Sequence, residues 1–217
     1  MSNELEIKRT CIRDRVRDVL VARILDGTYH AGERLKELSL AREFNVSQAP
    51  IREALRELEA SGLVYSERYR GTRVRGTDLQ EMRESYELRM ILEVRAVELG
   101  LPYPPEVLAT LSGCVDGMSR AFRRKDQQIF AEQALRMHRQ LVQASGNRIF
   151  LAVWDSLHWE VRGRVALQRV AGRREGLKPF IDLHESLLDR LRSADAAGAA
   201  ENLRTIFARI AGLFTAD

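Results

Sequence analysis

From Ile12 to Leu25, the apolar residues Ile12, Val16, Val19, Leu20 and Ile24 recur at helical spacing. Asp26-Gly27 and then His30-Ala31-Gly32 end the run. Leu35 to Phe44 predicts a second, short helix through Leu38, Leu40, Ala41 and Phe44. It is stopped by Asn45, which tolerates the left-handed backbone of a helix end. A third helix over Ser47–Ser61 follows almost at once, with Ser47 as its cap and Pro50 in its first turn. Its inner stripe is Ile51, Ala54, Leu55 and Leu58, and Gly62 closes it. Leu63–Ser66 and Thr72–Arg75 then carry the β-formers Val64, Tyr65, Thr72 and Val74 around a turn at Tyr69-Arg70-Gly71. That pattern predicts a two-stranded wing.

Beyond Thr77-Asp78 the pattern is helical throughout, over roughly 78–100, 104–124, 126–145, 148–171, 174–193 and 195–214. The chain is therefore expected to be mainly α. A winged helix-turn-helix over 10–76 is joined near Gly76 to an antiparallel bundle of about six helices over 78–217. No internal repeat or low-complexity run interrupts it.

Charge and composition narrow the class. Residues 1–76 hold 15 Lys and Arg against 12 Asp and Glu, a net of +3, whereas the rest holds 20 against 19, a net of +1. The excess of positive charge sits where a polyanion would be met. Cys11 and Cys114 form no Cys-x-x-Cys, so neither a disulfide framework nor a thiolate zinc site is signalled. The start, MSNELEIKRT, lacks a signal-like apolar core, and apolar runs are short, so the cytoplasm is expected and a membrane is not. No nucleophile elbow, phosphate loop or His-Glu-x-x-His helix is present, so catalysis is not expected.

Helix, short turn, helix and basic hairpin is the layout that places the second helix of the turn in a major groove. With Ile51, Leu55 and Leu58 inward, Gln48, Arg52 and Arg56 form one outward stripe suited to bases and phosphates. Ser47 and Ala49 sit at the tip, where free N–H groups favour a phosphate. In the wing Arg68, Arg70, Arg73 and Arg75 surround Gly71, so the tip can approach a groove closely. A merely solvated role is open for any one of these arginines.

The stretch LKELSLAREFNVSQAPIREALRELEASGLV followed by RGTRVRG resembles the GntR winged helix-turn-helix across residues 12–76. The resemblance implies operator contacts at Arg52 and Gly71, and reading or bracing by Ser47, Gln48 and Ala49. Some members carry arginine where Leu38 and Gln48 stand, so an operator sequence cannot be carried over from them. DLQEMRESYELRMILEVRAVELG, MHRQLVQASGN and DLHESLLDRLRSADAAGA are similar to the FCD effector domain of the FadR-like branch. Six helices point to its VanR-like subgroup. The resemblance implies a homodimer on double-stranded operator DNA, acting by default as a repressor and released by a small organic acid.

Many FCD domains hold a divalent metal with an Asp-x-x-x-His pair and two later histidines. His138 and His184 match two of these positions, but Ala134 and Ile206 stand at the other two. No cofactor is expected, with His138 and His184 the residual metal candidates. Without a metal, an acid needs a basic group in the pocket, and Arg89, Arg136, Arg162 and Arg164 are available beside the two histidines. Arg89 and Glu93, four apart, could instead form an intrahelical salt bridge. Trp154 and Trp159 read as core or interface. The competing reading is a DNA-binding protein whose bundle only dimerises.

Overall fold

The computed structural model describes residues 12–67, 70–75, 78–157, 159–171 and 176–214. Arg68, Tyr69, Gly76, His158, Cys11 and the side chain of Arg164 lie outside the described set. The chain divides into two compact units, residues 1–77 and 78–217.

In the first unit, α1 (Ile12–Leu25) packs Val16, Leu20 and Val21 against α3 (Gln48–Ala60), whose Ile51, Ala54, Leu55 and Leu58 are all buried. Between them run β1 (Arg34–Leu35) and α2 (Glu37–Glu43). Leu35 was expected to open the second helix but belongs to the strand. It is buried and pairs with Thr72, while Lys36 in extended conformation holds the cap position of α2. Asn45 ends that helix with φ of +52°, the left-handed conformation its short amide tolerates. Ser47 stands at the N-cap of α3, but its side chain makes no capping hydrogen bond.

The wing consists of β2 (Val64–Glu67) and β3 (Gly71–Val74). The sheet has three antiparallel strands in the order β1-β3-β2, one more than the expected pair. Its register sets Arg34 opposite Arg73 on one side and Tyr65 opposite Arg73 on the other. Glu59, near the end of α3, accepts from the Ser66 N–H at 2.7 Å and the Ser66 hydroxyl at 3.0 Å, so the wing is tied to the helix by a carboxylate.

The second unit is a bundle of α4 (Leu79–Gly100), α5 (Pro105–Arg123), α6 (Gln127–Ala144), α7 (Arg148–Ser156), α8 (Trp159–Ala171), α9 (Lys178–Arg192) and α10 (Ala196–Ala211). Asp78, Asp126, Asn147 and Asp195 cap four of these helices by accepting backbone N–H groups. α4 packs on α6, α7 and α10, while α5 and α9 pack on one another.

Seven helices among the described residues replace the expected six, because 148–171 breaks at Leu157. On one continuous helix Trp154 and Trp159 would point about 140° apart. Broken, the chain buries both, with ring centroids 6.2 Å apart. Arg162 Nε–H donates to the Leu157 carbonyl at 3.1 Å, satisfying a group that the break exposes. The helix count therefore gives no support to the VanR-like subgroup. Among the described residues no helix is long and apolar enough to cross a membrane.

Candidate DNA-binding surface and ligand pocket

On α3 the buried stripe turns Gln48, Arg52 and Arg56 outward, and all three are exposed, as are Ser47 and Ala49 at its start. Arg52 keeps 52% of its side chain exposed while donating to Glu37 of α2 at 2.9 Å. Glu37 did not stand out in the sequence, since its partner lies across the turn rather than one helical turn away. At the wing tip Arg70 is 77% exposed and 3.8 Å from Glu67. Arg73 is more constrained, donating to the Gly32 carbonyl at 2.8 Å.

Gly71 has φ of +83°, and a Cβ there would meet the Arg34 guanidinium at 3.1 Å. Arg34 therefore lies over the wing glycine, a cation the sequence pattern missed because a two-residue strand shows no periodicity. The unit thus presents Gln48, Arg52 and Arg56 on one helix face, and Arg34, Arg70 and Arg73 around the wing.

The bundle holds a different kind of site. A cavity of about 80 Å³ is bounded by α4, α6, α8, α9 and α10, and Arg89, His138 and His184 form its polar wall. Ala134 and Ile206 also line it. Arg136 and Arg162 are not in its wall. Arg136 sits two residues from both Ala134 and His138, about 200° around the helix, and is exposed. Arg162 turns to α4 instead, donating to Glu81 at 2.9 Å and Ser85 at 3.4 Å.

Behind the polar wall lies Glu93, which is fully buried and serves as the hub. It accepts from Arg89 Nε at 2.6 Å, from the Trp154 indole at 3.1 Å and from His138 Nδ1 at 2.5 Å. Burial raises the Glu93 carboxyl, but Arg89 and the hydrogen bond from His138 outweigh it and hold the group at about 2. The Arg89 guanidinium lies 4.9 Å from the Trp159 ring centroid and 5.3 Å from that of Phe207, so aromatic faces replace the water it has lost.

His184 Nδ1 donates to the Phe180 carbonyl at 2.5 Å, and its Nε2 lies 3.1 Å from His138 Nε2. Burial, reinforced by His138, brings His184 down to about 3, so its ring is neutral. Burial also lowers the His138 imidazole, against the opposing pull of Glu93, and with both Nδ1 atoms carrying hydrogen for their acceptors, each neutral ring presents an Nε2 lone pair at the cavity. These lone pairs face one another and call for a hydrogen-bond donor. Arg89 and Glu93 cancel in charge, so the empty site is close to neutral.

A four-ligand metal site does not fit these residues. Ala134 and Ile206 offer no donor atom, and among the described residues no group of three or more His, Cys, Asp or Glu is placed to hold a metal.

Comparison with known proteins decides the family. Residues 12–74 match the model of the bacterial regulatory proteins of the gntR family, and residues 84–209 match the FCD domain. The chain belongs to the GntR family. A GntR relative from Paenarthrobacter nicotinovorans, named "Probable D-xylose utilization operon transcriptional repressor", is 30% identical over 87% of this chain and 82% of its own. The gluconate operon transcriptional repressor of Bacillus licheniformis is 29% identical over 91% of this chain and 83% of its own.

Among solved structures, a GntR regulator from Rhodococcus sp. RHA1 shares the fold at a TM-score of 0.73 and 21% identity, covering 93% of this chain and 96% of that one. E. coli McbR/YncC does so at 0.70 and 22%, covering 94% and 97%. This GntR protein is a DNA-binding transcriptional regulator with an FCD effector-binding domain, not an enzyme.

Proposed function

We propose that the protein is a cytoplasmic homodimeric repressor that grips a short pseudo-palindrome and is released from it by a small organic acid bound, without a metal, in the bundle cavity. The observation that carries this reading is the polar wall of Arg89, His138 and His184, three buried side chains that line one cavity of the bundle.

On the DNA, Arg52, Arg56 and Gln48 reach base edges and phosphates, and Ser47 and Ala49 set the α3 N-terminus against the backbone. Arg70 and Arg73 carry the wing, with Gly71 allowing close approach. Arg52 exchanges Glu37 for DNA. Leu88, Ile91 and Leu99 lie exposed along one face of α4, which supports pairing with a second copy. A relative named for a gluconate operon brings sugar acids into the range of effectors to test.

The test is a titration of labelled operator, selected in vitro, with and without carboxylates, in chelator. Two chains per site, affinity falling with salt, and release by an acid are expected. One chain per site, or no acid that releases DNA, contradicts the reading.

A further inference from the structure

Resting on the acid-effector reading, we infer that the cavity selects a short aliphatic monocarboxylic acid and rejects hydroxylated acids and diacids. Three features of the cavity point to this class.

The first is size. An apolar cavity of about 150 Å³ accepts benzene, and the space here is about 80 Å³. That inner space suits an alkyl body of about four carbons, and the cavity opens to the outside on one side.

The second is the distribution of polarity. Arg89, His138 and His184 gather hydrogen-bonding atoms at one wall, and the hydroxyl of Tyr86, which also lines the cavity, is engaged with the Arg162 carbonyl at 3.4 Å, whereas Phe130, Leu135, Leu167, Val170, Phe180 and Ile210 line the rest with carbon. An acid with a hydroxyl on each carbon would bury those hydroxyls against side chains that cannot bond them. Each one left unpaired weakens binding by roughly tenfold. Each methylene of an alkyl acid buried on the same wall strengthens binding by about fourfold.

The third is charge. Arg89 is already matched by Glu93 at 2.6 Å, so the pocket holds no spare cation for a second carboxylate. A single carboxyl group, taken up with its proton, sets its O–H toward the Nε2 lone pairs of His138 and His184 and its C=O toward Arg89. The filled pocket remains neutral, and the two facing lone pairs acquire the donor they lack.

Calorimetric titration of the full-length protein in chelator, at one pH and ionic strength, compares acetate, propionate, butyrate and isovalerate with succinate and gluconate. Affinity is expected to rise along the alkyl series by about fourfold per carbon, with gluconate and succinate at least tenfold weaker than isovalerate. Gluconate or succinate binding more tightly than isovalerate overturns the inference but leaves the acid-effector reading standing. No binding by any of the six overturns both.

Ile210→Ala locates the alkyl body, because it enlarges the carbon wall without touching the polar one. The variant should move the preference toward hexanoate, and an unchanged chain-length profile contradicts the placement.

Discussion

Arg52 on the recognition helix and Arg89 in the bundle each pair with a glutamate, under opposite conditions. Arg52 and Glu37 meet in water with 52% and 34% of their side chains exposed, whereas Arg89 and Glu93 retain 4% and 0%. A surface pair contributes little to stability and can exchange partners freely. A buried pair has lost its hydration, so either member left alone is an uncompensated charge in a medium that cannot screen it. The first arrangement keeps an arginine ready for a polyanion, and the second fixes an arginine so that its far side can form the wall of a pocket.

Removing Glu93 is the strongest way to break this contrast. Glu93→Gln takes the countercharge from Arg89 and the acceptor from His138, and should destabilise the bundle by about 3–5 kcal/mol. Both tryptophans of the chain lie in the bundle, so indole fluorescence in urea reports that unit alone. A loss well under 1 kcal/mol would place the buried pair with the surface one.

Arg52→Ala should show the reverse pattern. Operator affinity falls on the order of ten- to a hundredfold in an anisotropy titration, while the urea midpoint of the bundle stays where it was. An unchanged operator Kd removes Arg52 from the interface. Gly71→Ala is expected to have a smaller effect. A side chain at φ of +83° costs about 1 kcal/mol and must displace Arg34, so operator affinity drops severalfold. Retained affinity and an intact wing would show that close approach there is unimportant.

Acid tests the buried side of the contrast without any substitution. His184 titrates near 3 in the fold and near 6.5 in the unfolded chain, so below about pH 6.5 the unfolded chain binds the extra proton. The stability owed to neutral His184 is complete above that pH and is lost as pH falls toward 3. Glu93, held at about 2, adds a second loss below about pH 4.5. Urea midpoints of the bundle should therefore decline from pH 7 to 4, and His184→Gln should flatten the upper part of that decline. An equal slope in the variant assigns the acid limb to other groups.

Much of this architecture is legible in the residue pattern where a long amphipathic period is present. The inner stripe of α3, the stop at Asn45 and the caps at Asp78 and Asp195 all follow from local rules. Local rules do not reveal what tertiary pairing decides. β1 is two residues long, and Leu35 joins it because Thr72 offers a backbone partner. The break at Leu157 exists to bury two tryptophans that one helix would separate.

The candidate sites divide in the same way. Arg52 and Arg56 follow from helix phase against the buried stripe. In the bundle, phase also turns Arg136 away from His138, but no sequence rule shows that Arg162 turns to Glu81 or that Glu93 joins Arg89, His138 and Trp154.

The most direct test of the account is the operator Kd measured with and without saturating isovalerate, under chelator and at fixed ionic strength. Because the two bindings are linked, the account predicts that the acid weakens operator binding by about fivefold or more. DNA should weaken acid binding by the same factor. Acid bound with operator affinity unchanged would contradict it, leaving a DNA-binding unit and a ligand pocket that do not communicate.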